Sequence, residues 1–304
     1  MKNIIKLLLL TPMTISLFGC KSKKPEPKPV DVVLISGQSN GVGIAHTNCI
    51  TKSIGASKYQ EYLKGYEGIQ IAYDCWTKDW INDLVTFYSQ NKSKDDTFTK
   101  VMLGQGNSLA TFGPEVGIAE ATYEKHGGKL FLIKFACGAS NLKDDWMEKN
   151  SQMYKRFVDY VERQIQNLKN MGYEPTIKAM CWMQGEGDSY DGYYQTYYEN
   201  TKKFVENLRH DLRDYSGDKE FAFIDAAINN YPTRWEYYEE VNAAKKKFAD
   251  ESDNNFFIDT IAAGMHTDQE PFDNPDKAHY DSESEVLLGH LFAETFEQFL
   301  EPIE

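Results

Sequence analysis

Val32-Val33-Leu34-Ile35-Ser36-Gly37-Gln38-Ser39-Asn40-Gly41 is the stretch on which the reading of this chain turns. A run of β-branched and aliphatic residues stops at a cluster of small and polar ones. An unbroken apolar run ended by glycine predicts a strand buried on both faces, as in a parallel sheet. Ser39 then falls just past the carboxyl end of that strand, where open α/β sheets hold their ligands. Taken alone, the ten residues fit a polar turn that merely ends a strand equally well.

Downstream, strands and helices alternate. Strands are expected at Lys129 to Ala136, Thr176 to Met183, Glu220 to Ala226 and Asn255 to Asp259. Between them, Met153, Phe157, Tyr160, Val161, Ile165 and Leu168 recur at helical spacing, as do residues of Tyr193 to Arg213 and Trp235 to Phe248. Pro114 to Tyr123 reads as a helix opened by proline. A last helix carries Val286, Leu287, Leu291, Phe292, Phe296 and Leu300, with Ser282 and Glu285 as its capping box. Such alternation means βαβ units, hence an α/β sandwich around a central parallel sheet. Residues 41–113 read as irregular, with short apolar pieces at Ile69 to Ala72 and Lys100 to Leu103. No repeat or internal linker divides the chain after residue 30, so residues 31–304 form one domain.

The first 30 residues are of a different kind. Lys2 and Lys6 precede a mostly apolar run, Ile4 to Phe18, too short for a comfortable membrane span. It ends Leu17-Phe18-Gly19-Cys20, so residues 1–20 resemble the bacterial lipoprotein signal ending at a cysteine, Cys20, that is lipidated and becomes the new N-terminus. Residues 21–30, rich in Lys and Pro, read as an extended tether. The expectation is an extracytoplasmic body whose only membrane contact is its lipid anchor.

An apolar fraction of 41% supports a substantial core. The net charge is −13 although residues 1–30 hold six Lys and one Glu, so the body is strongly acidic. Such a surface repels phosphate backbones, which argues against nucleic-acid binding. Among Cys49, Cys75, Cys137 and Cys181, the first two fall in irregular stretches and are the candidate disulfide of an exported protein. Cys137 and Cys181 end buried strands, where thiols behave as small apolar residues. No cysteine or histidine spacing points to a metal.

Three strands thus end in small or polar clusters at Ser39, Gly138 and Gln184, and parallel strands bring their ends to one crevice. Asp276-Lys277-Ala278-His279 lies just before the last helix. A serine, a base and a carboxylate that orients it are the parts of a nucleophilic acyl-transfer site. Each has a plainer alternative: a surface histidine, a turn-capping aspartate, a glycine that only bends the chain.

GQSN at 37–40, CGAS at 137–140, WMQGEGD at 182–188 and DKAH at 276–279 resemble the SGNH hydrolases. The resemblance is closer to the carbohydrate esterases related to sialate O-acetylesterases and family 6 acetylxylan esterases. It implies a flavodoxin-like three-layer α/β/α fold, no metal or organic cofactor, and a triad of Ser39, His279 and Asp276. The wider superfamily supplies an asparagine donor in its third block; here that stretch offers Gln184 and Glu186. A carboxylate would repel a developing oxyanion, whereas an amide donates to it. The expected oxyanion hole is therefore the N–H groups of Ser39 and Gly138 with the Gln184 side chain. Glu186 is expected to brace the loops through backbone N–H groups. Phe112-Gly113-Pro114-Glu115 also looks like a family feature, and Gln38 has no assignable role. Among the aromatics Trp146, Tyr190, Tyr193, Tyr194, Tyr197, Tyr198 and Trp235, half or more are expected in packing, with Trp146 the best candidate for a sugar contact. The expected activity is removal of O-acetyl groups from an acetylated oligosaccharide or polysaccharide. Two other readings stand beside it: a non-catalytic carbohydrate-binding lipoprotein, and an esterase acting on lipids or thioesters.

Overall fold

The structure, a computed structural model, describes residues 25–81, 84–126, 130–231 and 233–301. The signal sequence, Cys20 and the tether as far as residue 24 lie outside the described residues. The organising stretch forms the end of strand β1, Lys28–Gly37, every residue of which is buried from Asp31 onward. It is followed by β2 (Tyr66–Ile81), β3 (Leu84–Lys92), β4 (Thr99–Val101), β5 (Leu130–Gly138), β6 (Tyr173–Met183), β7 (Ala222–Ala226) and β8 (Asn255–Ile258). One eight-stranded sheet runs in the order β8-β7-β6-β1-β5-β2-β3, with β4 also on β2. Strands β8, β7, β6, β1, β5 and β2 pair in parallel; β3 and β4 run antiparallel to β2. The sheet is thus mixed at one edge rather than parallel throughout.

The helices are α1 (Ser39–Val42), α2 (Ile50–Ser53), α3 (Ala56–Lys64), α4 (Glu115–His126), α5 (Gln152–Asn170), α6 (Tyr197–Leu212), α7 (Tyr238–Ala249) and α8 (Ser282–Phe296). Helix α5 buries Met153, Phe157, Tyr160, Val161, Ile165 and Leu168, the face its periodicity predicts, against β5 and β6. Helices α5, α6 and α7 form one row, and α4 packs on α8. Gly117 and Gly289 permit that second contact: a Cβ on Gly117 would lie 2.0 Å from the Val286 carbonyl oxygen, and one on Gly289 2.2 Å from that of Pro114.

Residues 66–81 and 84–92, expected to be irregular, form two paired antiparallel strands. Buried Ile69, Ile71, Ala72, Tyr73 and Cys75 belong to the sheet, but Asp74 and Lys78 are buried with them, and beyond them exposure begins only at Asp79. That sequence shows neither an apolar run nor clean alternation, so periodicity fails on it. The capping box at Ser282 is also displaced. Asp281 is the N-cap of α8, Ser282 Oγ donates to Glu270 Oε2 (2.5 Å), and Glu285 is fully buried. Cys49 and Cys75 are free thiols rather than a disulfide; Cys75 lies against the carbonyls of Val42 and Gln105. Burial pushes the Cys49 thiol up to about 11 and the Cys75 thiol up to about 12.

Candidate active site

The turn after β1 is set by Gly37. Its φ of 138° is open to glycine, and a Cβ there would lie 2.0 Å from the Met183 carbonyl oxygen. That same carbonyl accepts from Gln38 N (2.9 Å), so the ends of β1 and β6 are fastened level. Ser39 then opens α1, where a first-turn N–H has no partner within the helix. The serine is half-buried, and its neighbours Gln38 and Asn40 are almost wholly buried.

The second component arrives on the loop before α8. The imidazole Nδ1 of His279 lies 2.5 Å from Asp276 Oδ2, while Asp276 Oδ1 accepts from the N–H groups of Ala278 (2.7 Å) and His279 (2.8 Å). Burial alone would raise the Asp276 carboxyl, but the hydrogen bond and charge of His279, with those two N–H groups, hold it below the usual carboxylate range. Asn40 joins the two components. Its Oδ1 accepts from Tyr280 N (3.1 Å) and its Nδ2 donates to Glu186 Oε1 (2.8 Å), so the residue after Ser39 holds the residue after His279. No hydrogen bond runs from Ser39 Oγ to His279 among the described residues; such bonds commonly tighten only with substrate present.

Gln184 is fully buried, and its amide nitrogen donates to Asp188 Oδ2 (2.6 Å) and Gln38 Oε1 (3.2 Å). Both amide hydrogens are thereby used, so the expectation that Gln184 donates to an oxyanion is corrected. Gln38, to which no role was assigned, is the hub: its Oε1 also accepts from Gly187 N (2.9 Å) and Gly185 N (3.4 Å). Glu186 braces the site through the Asn40 amide rather than by collecting N–H groups of neighbouring loops, and burial raises its carboxyl. Asp188 ties the β6 loop to the β5 loop through Leu142 N (2.6 Å) and Lys143 N (3.2 Å); burial pushes its carboxyl up to about 6. Gly138 closes β5 opposite Thr77 and is followed by Ala139 at φ 59°. Trp146, expected to meet sugar, is fully buried among Phe135, Phe157, Trp182 and Phe204, with Nε1 donating to Ser140 Oγ (2.9 Å). It packs the core behind the loop. Tyr197 is buried too, and its hydroxyl donates to Gln184 Oε1 (3.1 Å).

Behind each of the three strand ends stands a buried lysine–carboxylate pair that sequence reasoning missed. Lys134 bonds Glu115 (2.7 Å) and the Val42 carbonyl (2.8 Å), and Glu115 also accepts from Gly113 N (2.9 Å). Lys245 bonds Asp225 (2.5 Å) and the carbonyls of Gln184 (2.5 Å) and Ala226 (2.8 Å). Lys78 bonds Asp145 (2.8 Å), which accepts from Asn141 N (2.8 Å). The signal for one was present in the Phe112–Glu115 motif; the lysines lie far away in sequence and carry no local mark.

Among the described residues, the metal-ligand atoms of His266, Asp268 and Asp281 come within 4.8 Å of one another. The Asp281 oxygens already accept from Gln269 N (3.0 Å) and Glu270 N (2.8 Å), and Oδ2 lies 2.6 Å from His266 Nδ1, so His266 and Asp281 are held together by hydrogen bonds.

Three findings on likeness follow from this geometry. An Arabidopsis thaliana protein of solved structure superposes with a TM-score of 0.62 at 21% identity, over 90% of this chain and all of that one. NanS superposes at 0.56 and 13% identity, over 90% and 98%. A carbohydrate acetylesterase from Xanthomonas citri superposes at 0.58 and 14% identity, over 89% of this chain and 56% of that one. These likenesses speak for a shared fold. No curated protein matches the chain by sequence. Residues 29–298, nearly the whole described body, match the family described as carbohydrate esterase, sialic acid-specific acetylesterase. The chain belongs to that family of carbohydrate esterases, and it is a carboxylic ester hydrolase.

Proposed function

We propose that this protein removes O-acetyl groups from carbohydrates through a serine triad and an acyl-enzyme. The observation that carries the reading is the Asn40 bridge, which holds the Ser39 turn against the Asp276–His279 turn at the ends of the central strands. In the proposed reaction, Ser39 Oγ attacks the acetyl carbonyl carbon as its proton passes to His279 Nε2. Asp276 holds the Nδ1–H and stabilises the imidazolium. The oxyanion is met by the N–H groups of Ser39 and Gly138. Collapse breaks the bond to the sugar oxygen, which leaves with the proton from His279. A water molecule then gives its proton to His279 as it attacks the acyl-enzyme carbonyl; collapse breaks the bond to Ser39 Oγ, which takes the proton from His279, and acetate leaves. The family description and the acetylesterase named among the structural neighbours support an acetylated carbohydrate as substrate.

We further propose that the body is held outside the cytoplasm by lipid on Cys20; the support is the sequence of residues 1–30. No described helix is long and apolar enough to cross a membrane.

Acetate release is measured on p-nitrophenyl acetate and on acetylated xylan, mannan, pectin and sialoglycans. Wild-type protein is expected to release acetate, and Ser39→Ala and His279→Ala to lose about 10⁴-fold or more in kcat. Full activity in Ser39→Ala defeats the mechanism. Faster turnover of long-chain acyl esters than of acetyl esters moves the protein to the lipid reading.

A further inference from the structure

Strand β2 runs past the sheet that supports it. Its last pairing with β5 joins Thr77 to Gly138, yet β2 continues to Ile81 and returns as β3 from Leu84. The hairpin therefore stands as an arm above the carboxyl ends of the strands, beside the residue proposed to face the oxyanion. Of twelve large apolar side chains exposed among the described residues, five lie on it: Trp80, Ile81, Leu84, Val85 and Tyr88. Such a concentration on nine residues is not the scattered exposure normal for a surface.

The arm is held, not loose. Lys78, at its base, is buried with Asp145 of the loop after β5. Arg156 of α5 lies over the Trp76 ring at 4.5 Å, and Thr86 Oγ1 donates to the Asp79 carbonyl (3.3 Å) across the pair. Register and alternation put Trp80 and Val85 on one face, and Ile81, Leu84 and Tyr88 on the other. Tyr88 pairs with Thr77, which pairs with Gly138, so Tyr88 stands two strand spacings, roughly 10 Å, from the strand end. Trp80, three residues beyond Thr77, is about 10 Å further along the arm. That is beyond the acetyl group and within reach of neighbouring sugars.

We infer that the Trp80 face of the β2–β3 arm is a binding wall for the uncharged sugar units flanking the acetylated one, with Trp80 as its ring platform. This rests on the carbohydrate reading of the crevice. An exposed aromatic face suits a ring that is apolar on its face and hydroxylated at its rim. The Asp79 carboxylate and the acidic body disfavour a polyanionic chain. Membrane contact fits less well. Strand β1 begins at Lys28, at the amino-terminal ends of the parallel strands, whereas the arm rises past their carboxyl ends, so the N-terminal segment enters the body at the end away from the arm.

The test uses the Ser39→Ala protein, titrated calorimetrically with xylo-, manno- and cello-hexaoses and the matching monosaccharides. At least one hexaose is expected to bind tenfold or more tighter than its monosaccharide. Adding Trp80→Ala should weaken hexaose binding about tenfold, Tyr88→Ala on the opposite face should leave it unchanged, and Trp80→Phe should restore most of it. Trp80 is 57% exposed, so its removal leaves no buried cavity. Equal hexaose affinity with and without Trp80 overturns the inference, and so does Trp80-dependent capture by phosphatidylglycerol vesicles without hexaose binding. Trp80-dependent hexaose binding in a protein that releases no acetate from any glycan sinks the proposed function alone. Acetate release without length dependence sinks the arm alone.

Discussion

Two buried lysines flank the site and do the same work in different ways. Lys134 supports the Ser39 turn through the Val42 carbonyl, and Lys245 supports the β6 loop through the Gln184 carbonyl. The Lys134 pair is closed: Glu115 spends one oxygen on the lysine and the other on Gly113 N. The Lys245 pair is not, because Asp225 Oδ2 has no hydrogen-bond partner among the described residues. Burial pushes the Asp225 carboxyl up to about 6, against the pull of Lys245. A buried charge pair is costly unless hydrogen bonds satisfy what the partner does not. The Ser39 turn therefore rests on a support whose hydrogen bonds are all made, and the β6 loop on one with a carboxylate oxygen left over.

The largest effect that tests this contrast is on Lys134. Lys134→Met should cost about 3–5 kcal/mol, since Glu115 loses its counter-charge in a fully buried site. Urea unfolding measures it, and a loss below about 1 kcal/mol would show that the two supports do not differ as described. Lys245→Met is expected to cost less at pH 5 than at pH 8, because Asp225 can take up a proton when its partner is gone. A penalty independent of pH would break the comparison from the other side.

A smaller effect belongs to the unmodified protein. Asp225 and Asp188 both have folded values near 6 against a usual 3.8, so the folded state binds their protons more tightly than the unfolded chain does. Their contribution is greatest below the unfolded value and falls as pH rises through about 6. Glu120 and Asp211 act in the opposite sense. Each is held down to about 2 against the push of burial, Glu120 by His290, Lys58 and Tyr62, and Asp211 by Lys149, His210 and Tyr154. Their contribution is present above the unfolded value and is lost as pH falls toward 2. Together they place maximal stability at about pH 4, to be read from urea midpoints across pH 3–8; a maximum above 7 contradicts the assignment.

The smallest effect is at Gln184. Because its amide is committed to Asp188 and Gln38, Gln184→Ala should cost stability, about 1–3 kcal/mol for partners left unsatisfied. A change confined to kcat, with unfolding untouched, would return Gln184 to the oxyanion.

What could be read from the sequence and what could not divide along the same physical line. Strands β1, β5 and β6 are buried on both faces and announce themselves as apolar runs, and α5 announces itself by period. The hairpin of β2 and β3 is half inside the sheet and half in solvent, so one strand obeys two patterns. Asp276 and His279 were legible because three residues suffice to bring them together. The Lys134 and Lys245 contacts and the Gln184–Gln38 bond depend on partners from 19 to 146 positions away. Trp146 failed for a simple reason: a loop position near a strand end does not say which way a ring turns.

The glycine contact between α4 and α8 sets a dimension of the machine. Helix α4 begins at Glu115, which steadies the Ser39 turn through Lys134, and α8 begins just after His279. Gly117 and Gly289 let the two helix backbones touch, so the spacing between the Ser39 and His279 turns is gauged by a seat that neither residue reaches. One methyl group added there works as a shim. It leaves each part intact and spoils the clearance between them.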